Sequence, residues 1–429
     1  RTISAKLFSH SLLRGMLNLK ASNMITEVNM KALEGIRILD FSTHTAGPTC
    51  TAMMADLGAE VIKVEMPKVG DDTRYLANAV EGYSTQFMWN NRGKKSITVN
   101  MKDPEGVAAL LELGKHVDVV VETMKPGSMA KMGLDYEAFR AVNPGIIYCA
   151  ISAFGQTGPK AKDPGYDILA QASSGIMDMT GEKNGPPMKS GVIMSDFISG
   201  KDAFGAIMVA LIYRMKTGIG QMIDVSMQQC LVSMNPFIEV ALLGKDPHRQ
   251  GNHSAGSAPY GVFKGSNGEY LVIAAHSDRA FEKLCTEALK MPELVTDPRF
   301  VGGQSRAAHY MDLAKIIEDW LATFDSVDDA KAVMDKIPIV CGKILSTKQV
   351  TEDAQLLSRD GILDLPGARD MTQGYRGRGM HIKYSETPAV PGSPPVLGDD
   401  NYSILAEAGL SKDKIYELET KWGQPIEKP

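Results

Sequence analysis

Short apolar runs alternate with helical patterns along the chain between residues 36 and 152. The helix after the first run is predicted to have Pro48 at its first position and Gly58 at its end. A later helix opens at Asp103-Pro104. The five strand patterns are IRILDF (36–41), VIKVE (61–65), KSITVN (95–100), VDVVVET (117–123) and IIYCAIS (146–152). Strands alternating with helices predict a doubly wound α/β fold, with a parallel sheet covered on both faces. Ligands of such sheets bind beyond the carboxyl ends of the strands.

The second half of the chain has a different pattern. Two long helical patterns, DFISGKDAFGAIMVALIYRMKTG and SMQQCLVSMNPFIEVALLG, flank the strand QMIDVS. RQGNHSAGSAPYG (249–261) has the composition of a mobile loop, and a hairpin with its turn at Ser266-Asn267-Gly268 follows. Helical patterns over 277–335 predict a smaller second domain. The tail returns to short mixed elements and ends in a helix after the Pro/Gly-rich stretch TPAVPGSPPVLGDD.

Composition limits the classes of partner. The chain has 429 residues, 44% apolar residues and a net charge of −5. It therefore has no basic field of domain size, so we expect neither a nucleic-acid partner nor a membrane partner. No apolar run is long enough to predict a transmembrane helix. The five cysteines are scattered without a CxxC pair, which predicts reduced, mostly buried thiols.

The first 30 residues are set apart from the fold. They carry Arg, Lys and Ser and have no acidic residue before Glu27. This composition fits a mitochondrial transit peptide, an unstructured extension, or residues upstream of a start at Met24 or Met30. We expect a cytoplasmic protein, or one of the mitochondrial matrix if the segment is a transit peptide.

Few local motifs carry chemistry. No GxGxxG follows the first strand, GxSxG and HExxH are absent, and His248 and His253 are a weak metal pair. The helix opened by Gly47-Pro48 is either an anion site or a plain turn. The cations of NNRGKKS (90–96) are either anion ligands or a solvated surface. Asp196 lies just before a helical pattern, which predicts an N-cap.

Several motifs in order resemble the class III coenzyme A transferases, a family related to the α-methylacyl-CoA racemases. The likeness runs from about residue 33 to residue 410. The motifs are LEGIRILDFSTHTAGPTCTAMMADLGAEVIKVEMPKVGDDTR, NNRGKKSITVNMKDPEG, GQTGP, GYDILAQASSGIMDMTG, SGVIMSDFISG, KTGIGQMIDVSM and PPVLGDD. The resemblance implies a transfer of coenzyme A between carboxylic acids, with an acyl-CoA as substrate and no permanently bound cofactor or metal.

The resemblance implies that Asp196 is the nucleophile. Its carboxylate would attack the thioester to give a mixed anhydride, and the released thiolate would convert this to an aspartyl–CoA thioester. The cap and the nucleophile are compatible, because backbone N–H groups at a helix start would orient the carboxylate and lower its pKa. Succinyl-CoA is the expected donor, and a small dicarboxylate or related short acid the expected acceptor.

The resemblance also implies where the substrate lies. Tyr166 would lie beside the acyl group, unless it is simply a packing aromatic. The residues implied to bind coenzyme A are Thr43, His44, Thr45, Ala46, Val99, Lys102, Thr123, Met124, Lys131 and Met132. An α-methylacyl-CoA racemase is one alternative. Racemases carry a Gly-His-Asp motif where this chain has Gly165-Tyr166-Asp167, so the histidine that would exchange the α-proton is missing. A catalytically silent CoA-binding protein is the other alternative.

The resemblance implies a Rossmann-like large domain formed by 31–225 with 336–429, and a small domain with linkers over 226–335. It also implies an interlocked homodimer. The loop 249–261 would be a lid that protects the anhydride from water, or else a disordered linker.

Overall fold

Six parallel strands form the central sheet of the computed structural model, which describes residues 30–254 and 256–423. The first eight strands of the chain are β1 (Arg37–Asp40), β2 (Glu60–Glu65), β3 (Ala79–Val80), β4 (Tyr83–Ser84), β5 (Lys95–Thr98), β6 (Val119–Glu122), β7 (Ile147–Ser152) and β8 (Gln221–Ser226). β3 and β4 pair only with each other. The other six lie in the order β5-β2-β1-β6-β7-β8, and all their pairings are parallel. Counted along the chain this is the Rossmann order 3-2-1-4-5-6. The predicted parallel α/β sheet is confirmed.

Helices cover both faces of this sheet. They are α1 (Ala46–Asp56), α2 (Thr85–Asn91), α3 (Pro104–Gly114), α4 (Ser128–Met132), α5 (Tyr136–Val142), α6 (Asp167–Ser173), α7 (Ile176–Met179), α8 (Met194–Thr217), α9 (Met227–Ser233) and α10 (Phe237–Leu242), with a 3₁₀ turn at Asp72–Tyr75. One apolar cluster lies under α3 and α5, and a second lies between the sheet and α1, α8 and α9. The alternating apolar runs are thus buried on both sides of the sheet.

Two helices differ from the predicted ones. α1 begins at Ala46, so Pro48 is its third residue and not its first. The position is tolerated because the first N–H groups of a helix have no partner within the helix. The single long helix predicted over SMQQCLVSMNPFIEVALLG is two helices, since Pro236 removes an N–H and ends the first near Asn235.

Residues 258–343 build a separate antiparallel sheet with its own apolar core. The sheet contains β9 (Tyr260–Lys264), β10 (Tyr270–Ala274) and β11 (Val340–Lys343) in the order β11-β10-β9. The accompanying elements are a 3₁₀ turn at Ser266–Gly268, α11 (Asp278–Lys283), a π-helix (Leu284–Leu289), a 3₁₀ turn at Pro292–Val295, α12 (Gly303–Ala308), α13 (Tyr310–Leu321) and α14 (Val327–Met334). The predicted hairpin is confirmed. β11 joins the same sheet, so the predicted domain boundary at residue 336 falls inside this unit.

The tail returns to the parallel sheet. Its elements are α15 (Thr347–Val350), α16 (Ala354–Leu357), β12 (Ile362–Leu365), β13 (Tyr375–Arg378), α17 (Asn401–Glu407) and α18 (Lys412–Trp422). The Asn401 side-chain oxygen accepts from the backbone N–H of Thr98 in β5 at 2.7 Å. The Trp422 indole N–H donates to Asp103 at 2.8 Å, at the start of α3. These bonds attach the last two helices to the sheet's β5 side.

The cysteines are free thiols, and four of the five are buried, as predicted. Within the described residues no helix is long and apolar enough to cross a bilayer, and no group of acidic, His or Cys side chains is arranged to hold a metal. The extension predicted over residues 1–30 lies outside the described part of the chain, except for Met30.

Candidate active site

Asp196 lies in the first turn of α8, but it does not cap this helix. α8 begins at Met194 and its N-cap residue is Ile193, whose side chain makes no capping bond. Asp196 is therefore the third residue of the helix and is partly buried. The expectation that Asp196 is the N-cap is wrong, because the helix starts three residues earlier than that expectation requires.

The cap of α8 comes from Asp167, the first residue of α6. One carboxylate oxygen of Asp167 accepts hydrogen bonds from the backbone N–H of Met194 at 2.9 Å and of Ser195 at 2.8 Å, and from the Ser195 hydroxyl at 2.9 Å. Its other oxygen accepts from the Gln171 amide at 2.6 Å. The capping of α8 by Asp167 was not predicted from the sequence, although Asp167 belongs to the polar GYD motif inside an apolar segment.

The electrostatics of Asp196 also differ from the expectation. Burial, and then the negative charge of Asp167, raise the pKa of Asp196 to about 6. His44 and the backbone amides of Asp196 and Ala46 oppose this rise only in part. The predicted lowering of the pKa is wrong, because burial and the negative charge of Asp167 outweigh the stabilisation by His44 and these amides. Asp196 is still mainly ionised at neutral pH.

Close packing of α8 on α1 brings Asp196 to the start of α1. A Cβ atom at Gly200 would lie 2.5 Å from the Ala46 carbonyl oxygen and 3.2 Å from the Thr49 Cβ. Only glycine allows this approach of the two helices. The approach places Asp196 near the Ala46 amide, at the positive end of the α1 dipole. Such an amide is suited to stabilise negative charge that develops on a reacting carboxyl group.

Tyr166 and His44 flank the same place. Tyr166 precedes α6 and is 68% exposed, and its ring meets the His44 ring edge-on with centroids 6.4 Å apart. A Cβ at Gly165 would lie 2.2 Å from the Cβ of Ala153, so the chain here passes directly over the end of β7. The exposure of Tyr166 argues against the alternative of a packing aromatic.

The turn after β1 is held by its neighbours. The Thr43 N–H donates to the Thr123 hydroxyl at 3.0 Å, and the Gln86 amide donates to the Thr45 hydroxyl at 3.0 Å. His44 has a left-handed φ of 65°. Thr43, His44, Thr45, Ala46 and Thr123, predicted separately as ligands of coenzyme A, therefore lie in one connected structure.

A buried ionic network supports this turn from below. Lys94 pairs with Asp40 at 2.9 Å and Lys63 pairs with Asp71 at 2.9 Å, and all four side chains are fully buried. Lys63 also donates to the Ser42 carbonyl at 2.8 Å. Burial lowers the pKa of Lys94 to about 8, while the two lysines hold the pKa of Asp40 below its usual range despite burial. Ordered charges thus fix the loop on which the site depends.

The cationic motif NNRGKKS is part of this interior. Arg92 is 2% exposed and pairs with buried Asp56, and the side chain of Lys94 is fully buried. The third cation, Lys95, pairs with Glu60. The motif was interpreted as either anion ligands or a solvated surface, and both interpretations are wrong for Arg92 and Lys94. These side chains neutralise buried carboxylates and are neither solvated nor available to a phosphate.

The remaining predicted ligands of coenzyme A follow β5 and β6, which lie on either side of the pair β2 and β1 in the sheet. Lys102 follows β5, Met124 follows β6, and Lys131 and Met132 lie in α4. Lys102 and Lys131 are exposed, and across 30–254 and 256–423 no hydrogen bond or ion pair is formed by either side chain. Val99 is fully buried and belongs to the apolar core, and its N–H donates to the Glu65 carbonyl, so the structure does not present it at this edge.

The first part of the loop 249–261 is tied to α7 and to the segment that joins α7 to α8. Arg249 pairs with Asp178 at 2.9 Å and donates to the Gly185 carbonyl at 2.9 Å. The Gly251 N–H donates to the Gly181 carbonyl at 2.9 Å. The segment 178–194 leads directly into α8, so these contacts connect the glycine-rich loop to the chain that precedes Asp196.

Curated proteins and solved structures resemble this chain over most of its length. A succinyl-CoA:glutarate CoA-transferase of Mus musculus is 39% identical over 88% of this chain and 87% of its own. A formyl-CoA:oxalate CoA-transferase of Streptomyces avermitilis is 33% identical over 91% of this chain and 98% of its own. The crystal structure of a CAIB/BAIF family protein from Brucella suis is 36% identical, with a TM-score of 0.79 over 88% of this chain and 99% of its own. Residues 33–401 match the family described as CoA-transferase family III, and the chain belongs to this family.

Proposed function

We propose that this protein transfers coenzyme A from succinyl-CoA to a small carboxylic acid, with Asp196 as the covalent nucleophile. The observation that carries the proposal is a partly buried carboxylate with a pKa of about 6, beside the amide that begins α1. Relatives named as transferases of succinyl-CoA and glutarate, at 37–39% identity, support the choice of donor.

The reaction proceeds through two kinds of acyl-enzyme. The Asp196 carboxylate attacks the thioester carbonyl carbon and the carbon–sulfur bond breaks. The coenzyme A thiolate departs, and a mixed anhydride between Asp196 and the donor acid is formed. The thiolate then attacks the Asp196 carboxyl carbon and expels the donor acid as its carboxylate. The acceptor carboxylate then attacks the carbonyl carbon of the aspartyl–CoA thioester and displaces the thiolate, which gives a second mixed anhydride. The thiolate attacks the acceptor's acyl carbon in this anhydride, so the new CoA ester forms and the Asp196 carboxylate is regenerated. Each step exchanges one activated acyl group for another, so little free energy is lost.

The surrounding residues position the Asp196 carboxylate and stabilise charge, but they form no covalent bond with the substrate. The Ala46 amide stabilises negative charge on the tetrahedral intermediates at Asp196. Asp167 fixes the start of α8 through three hydrogen bonds and keeps Asp196 basic by repulsion. Coenzyme A lies along the carboxyl ends of β1, β5 and β6, where Lys102 and Lys131 contact its phosphates.

An exposed apolar face supports the homodimer. It is formed by α8 and the start of β8, where the exposed apolar side chains are Val209, Ile212, Tyr213, Met215, Ile219 and Met222. Exposed apolar side chains grouped along one segment of the chain are typical of an interface. Light scattering after size-exclusion chromatography tests the dimer, and a monomeric mass would contradict it.

The racemase alternative lacks its motif histidine, since Tyr166 occupies that position. A racemase exchanges an α-proton of its CoA ester in deuterium oxide. The transferase proposed here exchanges none. A silent CoA-binding protein neither transfers coenzyme A nor forms an acyl-enzyme.

The test incubates the wild-type protein with succinyl-CoA and a panel of short mono- and dicarboxylic acids, and identifies new CoA esters by mass spectrometry. Asp196→Asn should abolish exchange and the trapping of an Asp196 hydroxamate by hydroxylamine. Asp202→Asn, an exposed position in the same helix, is the matched control and should keep both. No new CoA ester with any acid would refute the transferase.

A further inference from the structure

A cavity lies next to the start of α8, the helix that carries Asp196. This cavity, with a volume of about 420 Å³, is lined by α2, the segment 191–193, Phe197 and β13. Ile193 and Phe197 in its wall lie three residues before and one residue after Asp196. Gln86 in the same wall donates to the hydroxyl of Thr45, whose neighbour Ala46 presents its amide to Asp196.

One cation faces this cavity without a partner. The Arg378 guanidinium carbon lies 4.6 Å from the centroid of the Trp89 ring and 5.2 Å from that of Phe197. Within 30–254 and 256–423, the side chain of Arg378 forms no hydrogen bond or ion pair. Its neighbour Arg376, by contrast, lies 3.9 Å from Asp364.

The surroundings of Arg378 favour an anion. Burial, and then the charge of Arg92, lower the pKa of Arg378 from its usual value. Arg92 stacks on the same Trp89 ring, 3.6 Å from its centroid, and its own charge is balanced by Asp56. A guanidinium that is partly desolvated and repelled by a second one gains stability when a carboxylate binds.

We infer that Arg378 binds the non-reacting carboxylate of a dicarboxylic acid, or of its CoA half-ester, while the other end reacts at Asp196. This inference rests on the proposed function. The planar guanidinium can hold a carboxylate through two parallel hydrogen bonds. Trp89, Val192 and Phe197 offer apolar surface to the methylene chain between the two ends. The cations proposed for the phosphates of coenzyme A, Lys102 and Lys131, do not line this cavity.

The test compares Arg378→Gln with wild type on two substrate pairs, succinyl-CoA with glutarate and butyryl-CoA with isotopically labelled butyrate, whose label makes the exchange visible by mass spectrometry. We expect kcat/KM for the dicarboxylate pair to fall about 10- to 100-fold, the range for a lost charge-assisted hydrogen bond, mainly through KM. The butyrate pair should change less than threefold. Arg369→Gln is the matched control, because Arg369 in the same tail is 77% exposed and pairs with Asp399 outside the cavity.

Calorimetric titration of glutarate in the presence of coenzyme A gives a readout that does not depend on catalysis. The wild type and Arg369→Gln should bind glutarate, and Arg378→Gln should bind it at least 10-fold more weakly. Equal loss for both substrate pairs, unchanged binding in Arg378→Gln, or no glutarate binding by the wild type would overturn the inference. Binding that depends on Arg378 without any exchange of coenzyme A would instead refute the transferase and leave this anion site standing.

Discussion

Asp167→Asn should separate the electrostatic role of Asp167 from its capping role. The Asn side chain retains an oxygen that can accept from Met194 and Ser195, but it loses the negative charge beside Asp196. Repulsion by this charge is the second-largest cause of the raised pKa of Asp196, after burial. Removing it should move that pKa down by about one, from about 6 toward 5.

The size of the effect follows from the ionised fraction of Asp196. A carboxyl group of pKa about 6 is ionised in roughly one molecule in eleven at pH 5, and one of pKa about 5 in roughly one in two. Relative to its own plateau above pH 7.5, the rate of the variant at pH 5 should therefore be about fivefold higher than that of wild type. The plateau itself should fall, because a less basic carboxylate is a weaker nucleophile.

The assay is the exchange of coenzyme A between succinyl-CoA and an acceptor acid from pH 4.5 to pH 8.5. Gln171→Ala is the control, since it removes the 2.6 Å bond to Asp167 and leaves the charge in place. Its acid limb should stay near pH 6. An Asp167→Asn profile with the wild-type midpoint, or an equal displacement in Gln171→Ala, would show that Asp167 does not set the pKa of the nucleophile.

Three further predictions concern packing, the buried charges and the phosphates. Gly200→Ala should lower the free energy of unfolding in urea by about 1–3 kcal/mol and lower kcat, because its Cβ would lie 2.5 Å from the Ala46 carbonyl oxygen in α1. The Cβ of the control Gly205→Ala meets no atom within 4 Å, so this variant should be neutral or stabilising. Equal effects of the two variants would refute the packing argument. Lys94→Met should cost about 3–5 kcal/mol by removing the cation that pairs directly with buried Asp40, and a loss below 1 kcal/mol would contradict this. Lys131→Ala should raise the KM for succinyl-CoA several-fold at low salt and less at high salt, and an effect that does not depend on salt would argue against a phosphate contact.

The fold was predictable from sequence where each element depends on its own pattern. The strand runs and the helix opened by Asp103-Pro104 appear as expected, with Asp103 as N-cap and Pro104 in the first turn. The order of the strands was not predicted, because right-handed connections restrict the possible topologies without fixing which strands are neighbours. β11 was not predictable, because its segment VCGK carries no alternation and is a strand only through pairing with β10.

The cations near the site show why contacts distant in sequence were missed. Arg92 and Lys94 form a hydrophilic run that in most chains is solvated. Their partners Asp56 and Asp40 lie 36 and 54 residues away, at the ends of other elements. No local pattern reveals that these carboxylates are buried and require a cation. The pairing becomes visible only when α1, β1 and α2 are placed together.

The exchange of roles between Asp167 and Asp196 follows the same logic and has a functional consequence. The local rule assigns the cap to the Asp nearest the helix start, but the amides of Met194 and Ser195 are taken by a residue 27 and 28 positions earlier. A capping Asp196 would be stabilised as an anion and would be a poor nucleophile. In the folded protein its pKa is instead raised from 3.8 to about 6, so stability is lost as pH rises from the first value to the second, by about 3 kcal/mol at most. The fold accepts this loss at the carboxylate that we propose as the nucleophile, and the capping bonds of Asp167 keep the start of the helix ordered.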